Sequence, residues 1–324
     1  MTATAIEETG IREKEKVRNG LIDLYRFLLA VVVVKSHGLF ILDGPYFGPG
    51  RVCVEFFFVL SGYLFLSFLN KCKDRPLKDS LLALLKSRVM PLLIPTVIGI
   101  VANTAEAFFD GQSFSPWGYL WYVRVMLVEM LILVLLRTFI KRDRLFYLII
   151  GGVMLVALVL KFSGITYSWG YCRGASSIPM GIFTAMLPKI SRKYRWLSRL
   201  LLLPVFAACF SIVCFGLGDV EWLGIRIPEL LLDNLLYPLL IYLSFSLDFS
   251  CRLFSYLGAL SFGLYAFQCP ADLFRVMGVK SPWLLFGFIL LATLVEDGIK
   301  RIVRHVRKKR ASETHGPVAQ SQGS

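Results

Sequence analysis

The sequence predicts an all-α, polytopic membrane protein with about ten transmembrane helices and no separate soluble domain. Its 324 residues are 56% hydrophobic and its mean hydropathy is +0.65, whereas a soluble protein must cover its surface with polar groups. The apolar residues come in blocks of about 18 to 22, the length that a helix needs to cross about 30 Å of hydrocarbon. The polar sequence between these blocks is too short to form a soluble domain.

Each apolar block predicts one span of a membrane domain over residues 21–300. Residues 1–20 lack the apolar core of a signal peptide and predict a cytoplasmic tail, and residues 301–324 predict a basic cytoplasmic tail that lies against anionic headgroups. Glycine and proline in the sixth block leave a broken or re-entrant helix there as an alternative. The predicted spans are 21–42, 52–70, 83–103, 118–137, 145–161, 174–188, 199–218, 229–247, 255–275 and 282–300.

The distribution of positive charge predicts the orientation of the chain. The formal net charge is +14, and roughly three-quarters of the Lys and Arg residues lie in the two tails and in alternate loops, as the positive-inside rule requires of cytoplasmic segments. Both termini are therefore predicted to lie in the cytoplasm, with the chain in the plasma membrane. The same distribution argues against nucleic-acid binding, because no basic soluble module is present to follow a phosphate backbone.

The seven cysteines are predicted to be small apolar residues within the helices. They form no CxxC pair and have no metal-ligand spacing, so the sequence predicts neither a metal site nor a bound cofactor. Cys53, at the outer end of the predicted span 52–70, and Cys172, in a predicted outer loop, lie at the same predicted face, which leaves one disulfide bridge between them as an alternative.

The first span contains charged residues that an apolar environment disfavours. Each costs several kcal/mol within a membrane and persists mainly where a polar cavity uses it. Arg26 and His37 are eleven residues apart, so a helix places them on one face about 16 Å apart. Asp23 precedes Arg26 by nearly one turn and is predicted to pair with it. The alternative for Arg26 is a side chain that extends to the membrane interface.

His37 is the only histidine in the apolar region. An imidazole titrates near neutral pH and can take the proton of a hydroxyl nucleophile, which predicts a general base; the alternative is a packing residue that is hydrogen-bonded between helices. Glu55 lies near the outer end of an apolar run, where its carboxylate needs a hydrogen-bonding or charged partner. We predict a hydrogen bond from His37 to Glu55 that would orient the imidazole.

These residues resemble the membrane-bound acyltransferase family 3, whose members O-acylate sugars and cell-surface glycans. The family's first span carries an Asp, then an Arg, ten further residues and a His, as Asp23, Arg26 and His37 do here. Its second span is similar to GPGRVCVEFFFVLSGYLF, which contains Glu55 and Ser61. The Ser-Gly pair in this stretch has an alternative explanation, since small residues let membrane helices approach closely.

Two further motifs extend the resemblance over about residues 20–300. Lys86 and Arg88 match a basic pair before the third span, and LGALSFGLYAFQCP, with Tyr265, is similar to the family's ending. The sequence departs from the family at Gln268, where a histidine is usual. It also departs at Lys86, which replaces an arginine and lacks its bidentate fork.

The resemblance implies an acyltransferase that uses acyl-CoA, most often acetyl-CoA, as a donor substrate and a sugar or polysaccharide hydroxyl as acceptor. It places Lys86, Arg88 and Arg26 near the donor phosphates, and His37 as general base or transient acyl carrier. Ser61 and Tyr265 would donate hydrogen bonds to the developing oxyanion. A proton-coupled transporter or flippase of a glycolipid or small anion is one alternative, and a non-catalytic membrane scaffold is another.

Overall fold

The computed structural model describes residues 19–37, 50–110, 117–163, 169–215, 217, 220–221 and 226–314, and within these ranges the chain forms helices and no strand. The all-α prediction is confirmed. Two short π-helical segments, Leu85–Val89 and Leu232–Leu236, interrupt longer helices. The α-helices are α1 (Gly20–Ser36), α2 (Gly50–Cys72), α3 (Leu77–Leu84), α4 (Met90–Asp110), α5 (Trp121–Phe139), α6 (Asp143–Phe162), α7 (Trp169–Met186), α8 (Arg195–Cys214), α9 (Ile227–Leu231), α10 (Tyr237–Ser246), α11 (Arg252–Val276) and α12 (Pro282–Thr314).

Length and apolar composition support six membrane crossings in the described part of the chain, not the predicted count of about ten. The other long helices are α1, which has 17 residues, and α5, α7 and α11, which carry more polar residues. These four helices hold much of the buried polar interior. The six candidate spans are Gly50–Cys72, Leu77–Phe109, Asp143–Phe162, Arg192–Cys214, Ile227–Ser246 and Pro282–Val303.

The N-terminal tail, the last part of the C-terminal tail and parts of two predicted spans lie outside the described residues. Residues 1–18 and 315–324 lie beyond them, as do residues 38–42 at the end of the first predicted span and parts of 216–219. The described part of the basic tail is helical, because α12 continues without interruption from Pro282 to Thr314.

Helix α7 is continuous from Trp169 to Met186, so the broken-helix alternative for 174–188 is not observed. Pro179 lies inside the helix without ending it. The thiols of Cys53 and Cys172 are both free and buried, in α2 and α7 respectively, so the alternative disulfide is not formed either. Helix packing, rather than a covalent bridge, joins these two helices.

Helices α2 and α7 approach each other closely at two glycines. A Cβ atom at Gly62 would collide with the backbone carbonyl of Ile178, and one at Gly181 with the carbonyl of Val59. Small residues allow this backbone contact, which membrane helices use for association. The close-approach explanation for the Ser-Gly pair therefore holds for Gly62.

We expect Gly62→Ala to destabilise the folded protein by about 1–3 kcal/mol, the usual cost of forcing extra volume into a packed interior. Gly152→Ala is the matched control, because a Cβ there meets nothing within 4 Å. Thermal denaturation of the purified variants in detergent measures both effects. Equal stability of the two variants would contradict the close contact.

Helices α1 and α11 lie side by side and run in the same direction. Asn19 caps α1, since its side-chain oxygen accepts the Leu21 and Ile22 N–H groups at 3.1 and 3.2 Å. Beside this end of α1, the Gly20 N–H donates to Phe249 O at 2.8 Å, just before α11 begins. Farther along, Ala30 and Val34 of α1 share a buried cluster with residues of α11. The two helices therefore stay in contact along most of α1.

Candidate functional site

A cavity of about 300 Å³ lies between α1, α2, α5, α11 and the π-helical segment Leu85–Val89. Four residues that the sequence singled out lie in its wall: Arg26, Ser61, Arg88 and Tyr265. They come from four separate elements, so only the folded chain brings them together. The remaining lining residues are Phe57, Leu60, Leu64, Ser87, Pro91, Leu92, Tyr122, Met126, Met130, Ser261 and Phe262.

Arg26 lies in the wall of this cavity rather than extending away to the membrane interface. Its guanidinium pairs with the Asp23 carboxylate at 3.2 Å, as the helical spacing predicted. Asp23 is buried and the Arg26 side chain is 28% exposed. The ion pair therefore holds a partly accessible cation at the edge of the cavity.

Hydroxyl groups line the wall of the cavity between α2 and α5. The Ser61 and Tyr122 oxygens are 3.4 Å apart, and both hydroxyls lie within 3.3–3.4 Å of the Met126 sulfur. The Tyr265 ring packs edge-on against Tyr122, with centroids 5.6 Å apart. Sequence analysis missed Tyr122, because a tyrosine in an aromatic-rich span carries no distinctive signal.

The π-helical segment separates the two members of the predicted basic pair. Arg88 lines the cavity, donates to Leu64 O at 3.4 Å and lies over the Phe65 ring, 5.8 Å from its centroid. Lys86 is exposed and is not among the lining residues of this cavity. The extra residue of a π-turn changes which side chains share a face, and such turns are frequent at functional sites.

His37 follows the last residue of α1 and is half-buried. It is not among the residues that line the cavity; a helix of this length places it about 16 Å beyond Arg26. The charged groups that act on its imidazole include Asp272 and Arg275 of α11. His37 thus lies near a second polar group of residues, at the far end of the α1–α11 contact.

Glu55 does not form the predicted hydrogen bond with His37. Its carboxylate is fully buried and is bound by Lys161 at 3.0 Å, by Arg173 and by the Ser177 hydroxyl. Lys161 comes from the end of α6 and Arg173 from the first half of α7. Two full positive charges satisfy a buried carboxylate better than one imidazole does, which explains the different partner.

The partners of Glu55 belong to a buried ionic network that sequence analysis did not anticipate. Lys161 also binds Asp233 at 2.5 Å, and Arg173 also binds Glu229. Arg226, 21% exposed, approaches Glu229 at 3.3 Å from the solvent side. The sequence did carry a signal for it. Glu229 and Asp233 form an acidic pair at i, i+4, and a basic residue lies near one end of each of two other helices, Lys161 in α6 and Arg173 in α7. The network consists of Glu55, Lys161, Arg173, Ser177, Arg226, Glu229 and Asp233, which we call the buried ionic network.

Three carboxylates of the buried ionic network are close enough to bind a metal ion. Ligand oxygens of Glu55, Glu229 and Asp233 lie within 4.8 Å of one another. The Lys161 ammonium and the Arg173 guanidinium already bind these carboxylates. A metal cation would have to displace them, so the arrangement fits an internal ion-pair cluster better than a metal centre.

Comparison with known proteins identifies one relationship. The model of acyltransferase family 3, described as an acyltransferase domain, matches residues 19–295. The match covers α1 to most of the apolar part of α12, and includes both the cavity and the buried ionic network. Searches of curated proteins and of solved structures yield no match.

Proposed function

This chain belongs to acyltransferase family 3, and from that premise we propose that it transfers an acyl group, in the simplest case acetyl, from acyl-CoA to a hydroxyl of a cell-surface sugar or glycan precursor. The family and the apolar helices make the chain a membrane acyltransferase. The donor, the acceptor and the role of His37 are the proposal.

The observation that carries the proposal is the convergence of Arg26, Arg88, Ser61 and Tyr265 on one cavity. Two guanidinium groups suit the phosphates of a CoA ester, because they form charge-assisted hydrogen bonds with them. A volume of about 300 Å³ is at the lower end for ligand pockets. It suits the slender pantetheine arm, with the nucleotide remaining outside.

The thioester then has to reach His37, which lies beyond the cavity. Tyr265, Gln268 and Asp272 succeed one another at helical spacing on one face of α11. This face leads from the cavity wall at Tyr265 to the surroundings of His37 at Asp272. An extended pantetheine arm lying along it would carry the acyl group over the separation between Arg26 and His37.

In the proposed reaction, His37 takes the proton of the acceptor hydroxyl as that oxygen attacks the thioester carbonyl. The carbon–sulfur bond breaks, the ester forms, and the proton passes from His37 to the CoA thiolate. In the alternative sequence His37 first carries the acyl group itself and releases CoA before the sugar attacks. Ser61 and Tyr265 line the cavity together with Arg26, so we propose that their hydroxyls bind the pantetheine arm rather than the oxyanion that forms beside His37.

The proposed topology has ten crossings in the plasma membrane and both termini in the cytoplasm. It places the cavity residues Arg26 and Arg88 towards the cytoplasm, where acyl-CoA is made. It places His37 towards the opposite face, where a glycan acceptor arrives. Cysteine-labelling of single-cysteine variants in the predicted loops, from either side of intact cells, tests this orientation.

The experiment that tests the function uses the purified full-length chain in lipid nanodiscs with radiolabelled acetyl-CoA. The acceptor is the surface glycan of cells that lack the protein, treated with mild base to remove its esters. We expect base-labile label in the glycan and an equal amount of free CoA. In closed proteoliposomes of the same protein, label that crosses the membrane without becoming covalently attached would instead identify a transporter or flippase. If label is neither transferred nor transported, the scaffold alternative is favoured.

Within this assay, we expect Arg88→Ala to raise the KM for acetyl-CoA by about tenfold with little change in kcat. A charged hydrogen bond contributes about 1.5–3 kcal/mol, and 1.4 kcal/mol corresponds to a factor of ten. Lys86→Ala is the matched control, because Lys86 is exposed outside the cavity wall. A larger effect at Lys86 than at Arg88 would contradict the assignment of the cavity to the donor.

A further inference from the structure

The register of α1 against α11 brings one acidic side chain to His37. A Cβ atom at Gly258 would lie 2.6 Å from Asp23 Oδ1, so Gly258 and Asp23 face each other. His37 follows Asp23 by 14 residues, and Asp272 follows Gly258 by the same 14. Because the helices run in parallel with the same rise, both residues lie about 21 Å farther along.

The packing between these two points keeps the register. Val34 on α1 and Ala271 on α11 are fully buried in the same hydrophobic cluster, one turn before His37 and one residue before Asp272. Ala30 and Phe267 pack in that cluster one turn earlier on each helix. The contact is therefore continuous from the facing pair Asp23–Gly258 to the ends that carry the imidazole and the carboxylate.

Asp272 is a fully buried carboxylate whose charge is held in place. The Arg275 guanidinium pairs with Asp272 Oδ1 at 2.5 Å, and Arg275 itself is 44% exposed. The two groups act on His37 in opposite senses: the Asp272 carboxylate favours the imidazolium, the Arg275 guanidinium opposes it, and the effect of Asp272 is the larger. A buried carboxylate persists when it is paired, and Arg275 supplies such a pair for Asp272.

Two other acidic residues, Glu55 and Glu106, are placed less well for this role. Glu55 is bound by Lys161, Arg173 and Ser177 within the buried ionic network. Glu106 of α4 acts on Cys269, one turn before Asp272, and is not among the largest charges acting on the imidazole. Asp272 is therefore the carboxylate whose position and burial fit the orientation of His37.

We infer that Asp272, rather than Glu55, is the positioning residue of His37. This inference rests on the proposed function. Asp272 accepts a hydrogen bond from one imidazole nitrogen, which leaves the other nitrogen unprotonated and directed at the acceptor hydroxyl. When the hydroxyl proton moves to His37, Asp272 stays ionised and stabilises the imidazolium until CoA thiolate takes the proton. Asp272 itself exchanges no proton with the substrates.

The test compares Asp272→Asn and Asp272→Glu in the nanodisc assay with radiolabelled acetyl-CoA and base-treated glycan. We expect Asp272→Asn to lower kcat by about 100-fold, within the range of general-base contributions, with the KM for acetyl-CoA unchanged within about twofold. Asp272→Glu keeps the charge and is expected to restore at least about tenfold over Asp272→Asn. Equal activity of the two variants would overturn the inference, as would an Asn variant within about threefold of wild type.

A second comparison separates positioning from a general structural effect. In a His37→Ala background, Asp272→Asn is expected to cause no further loss, because residues that act as a unit are not additive; the same 100-fold loss in both backgrounds would overturn the inference. Asp297→Asn is the matched control, since Asp297 is also buried and pairs with an arginine of its own helix, at 2.7 Å. It is expected to keep wild-type kcat.

The outcomes distinguish this inference from the proposed function. Absence of transfer by the wild-type chain, or full activity of His37→Ala, would reject the function as proposed. Inactive His37→Ala together with fully active Asp272→Asn would retain the function and reject the positioning role alone.

Discussion

His37→Ala is expected to leave the amount of folded protein near the wild-type level and to lower acyl transfer by about 10²–10⁴-fold. This range is the usual contribution of one positioned general base. The substitution removes a half-buried side chain at the end of α1, so little packing is lost. Transfer of label from acetyl-CoA to base-treated glycan gives the activity, and size-exclusion chromatography gives the folded fraction.

The control for this variant is His305→Ala. His305 is exposed on α12, so its replacement is expected to change transfer by less than twofold. Normal labelling by His37→Ala would remove the imidazole from the mechanism and leave the cavity residues without a base. Loss of folded protein in His37→Ala alone would instead favour the packing explanation for this histidine.

Arg173→Met is expected to destabilise the folded state by about 3–5 kcal/mol, the cost of removing one partner from a buried ion pair. Arg173 is fully buried and binds both Glu55 and Glu229. Its loss leaves Glu55 with Lys161 and Ser177, and Glu229 with the partly exposed Arg226. We expect a large fall in the thermal midpoint of the purified protein and in its yield.

Arg226→Met provides the matched control, because it removes a cation that is 21% exposed from the same carboxylate, Glu229. Pairs that water reaches contribute about 0–1 kcal/mol. Adding Glu229→Gln to Arg173→Met is expected to recover part of the lost stability, because the uncompensated charge disappears. Equal midpoints for the Arg173 and Arg226 variants would show that the buried ionic network does not stabilise the fold.

The fold was predictable from the sequence wherever polar residues separated one apolar block from the next. The length of such a block decides whether it crosses the hydrocarbon, and a helix lies at each predicted span in the described residues. The relation between helices was not predictable in the same way. The contact of Gly62 with Ile178 and the parallel register of α1 and α11 depend on pairs far apart in sequence, which periodicity within one helix does not report.

The site was predictable where one helix carried the whole pattern. Asp23 pairs with Arg26 as its spacing required, since both residues belong to α1. The predicted partner of Glu55 was wrong, because tertiary packing determines whether Glu55 meets His37 or the cations of α6 and α7. Asp272 was not predicted for the same reason. In the sequence it is one acidic residue in a segment of polar and apolar residues, and only its position beside His37, at the end of α1, distinguishes it.

The glycine contacts between α2 and α7 also restrict where the cavity can widen. At 100° per residue, Gly62 and Val59 lie on the side of α2 opposite Leu60 and Leu64, which face the cavity. Because the two backbones are in direct contact there, α2 cannot move closer to α7. A wider ligand in this cavity would therefore have to displace another wall, and the segment Leu85–Val89, none of whose residues is buried, is one wall that can yield.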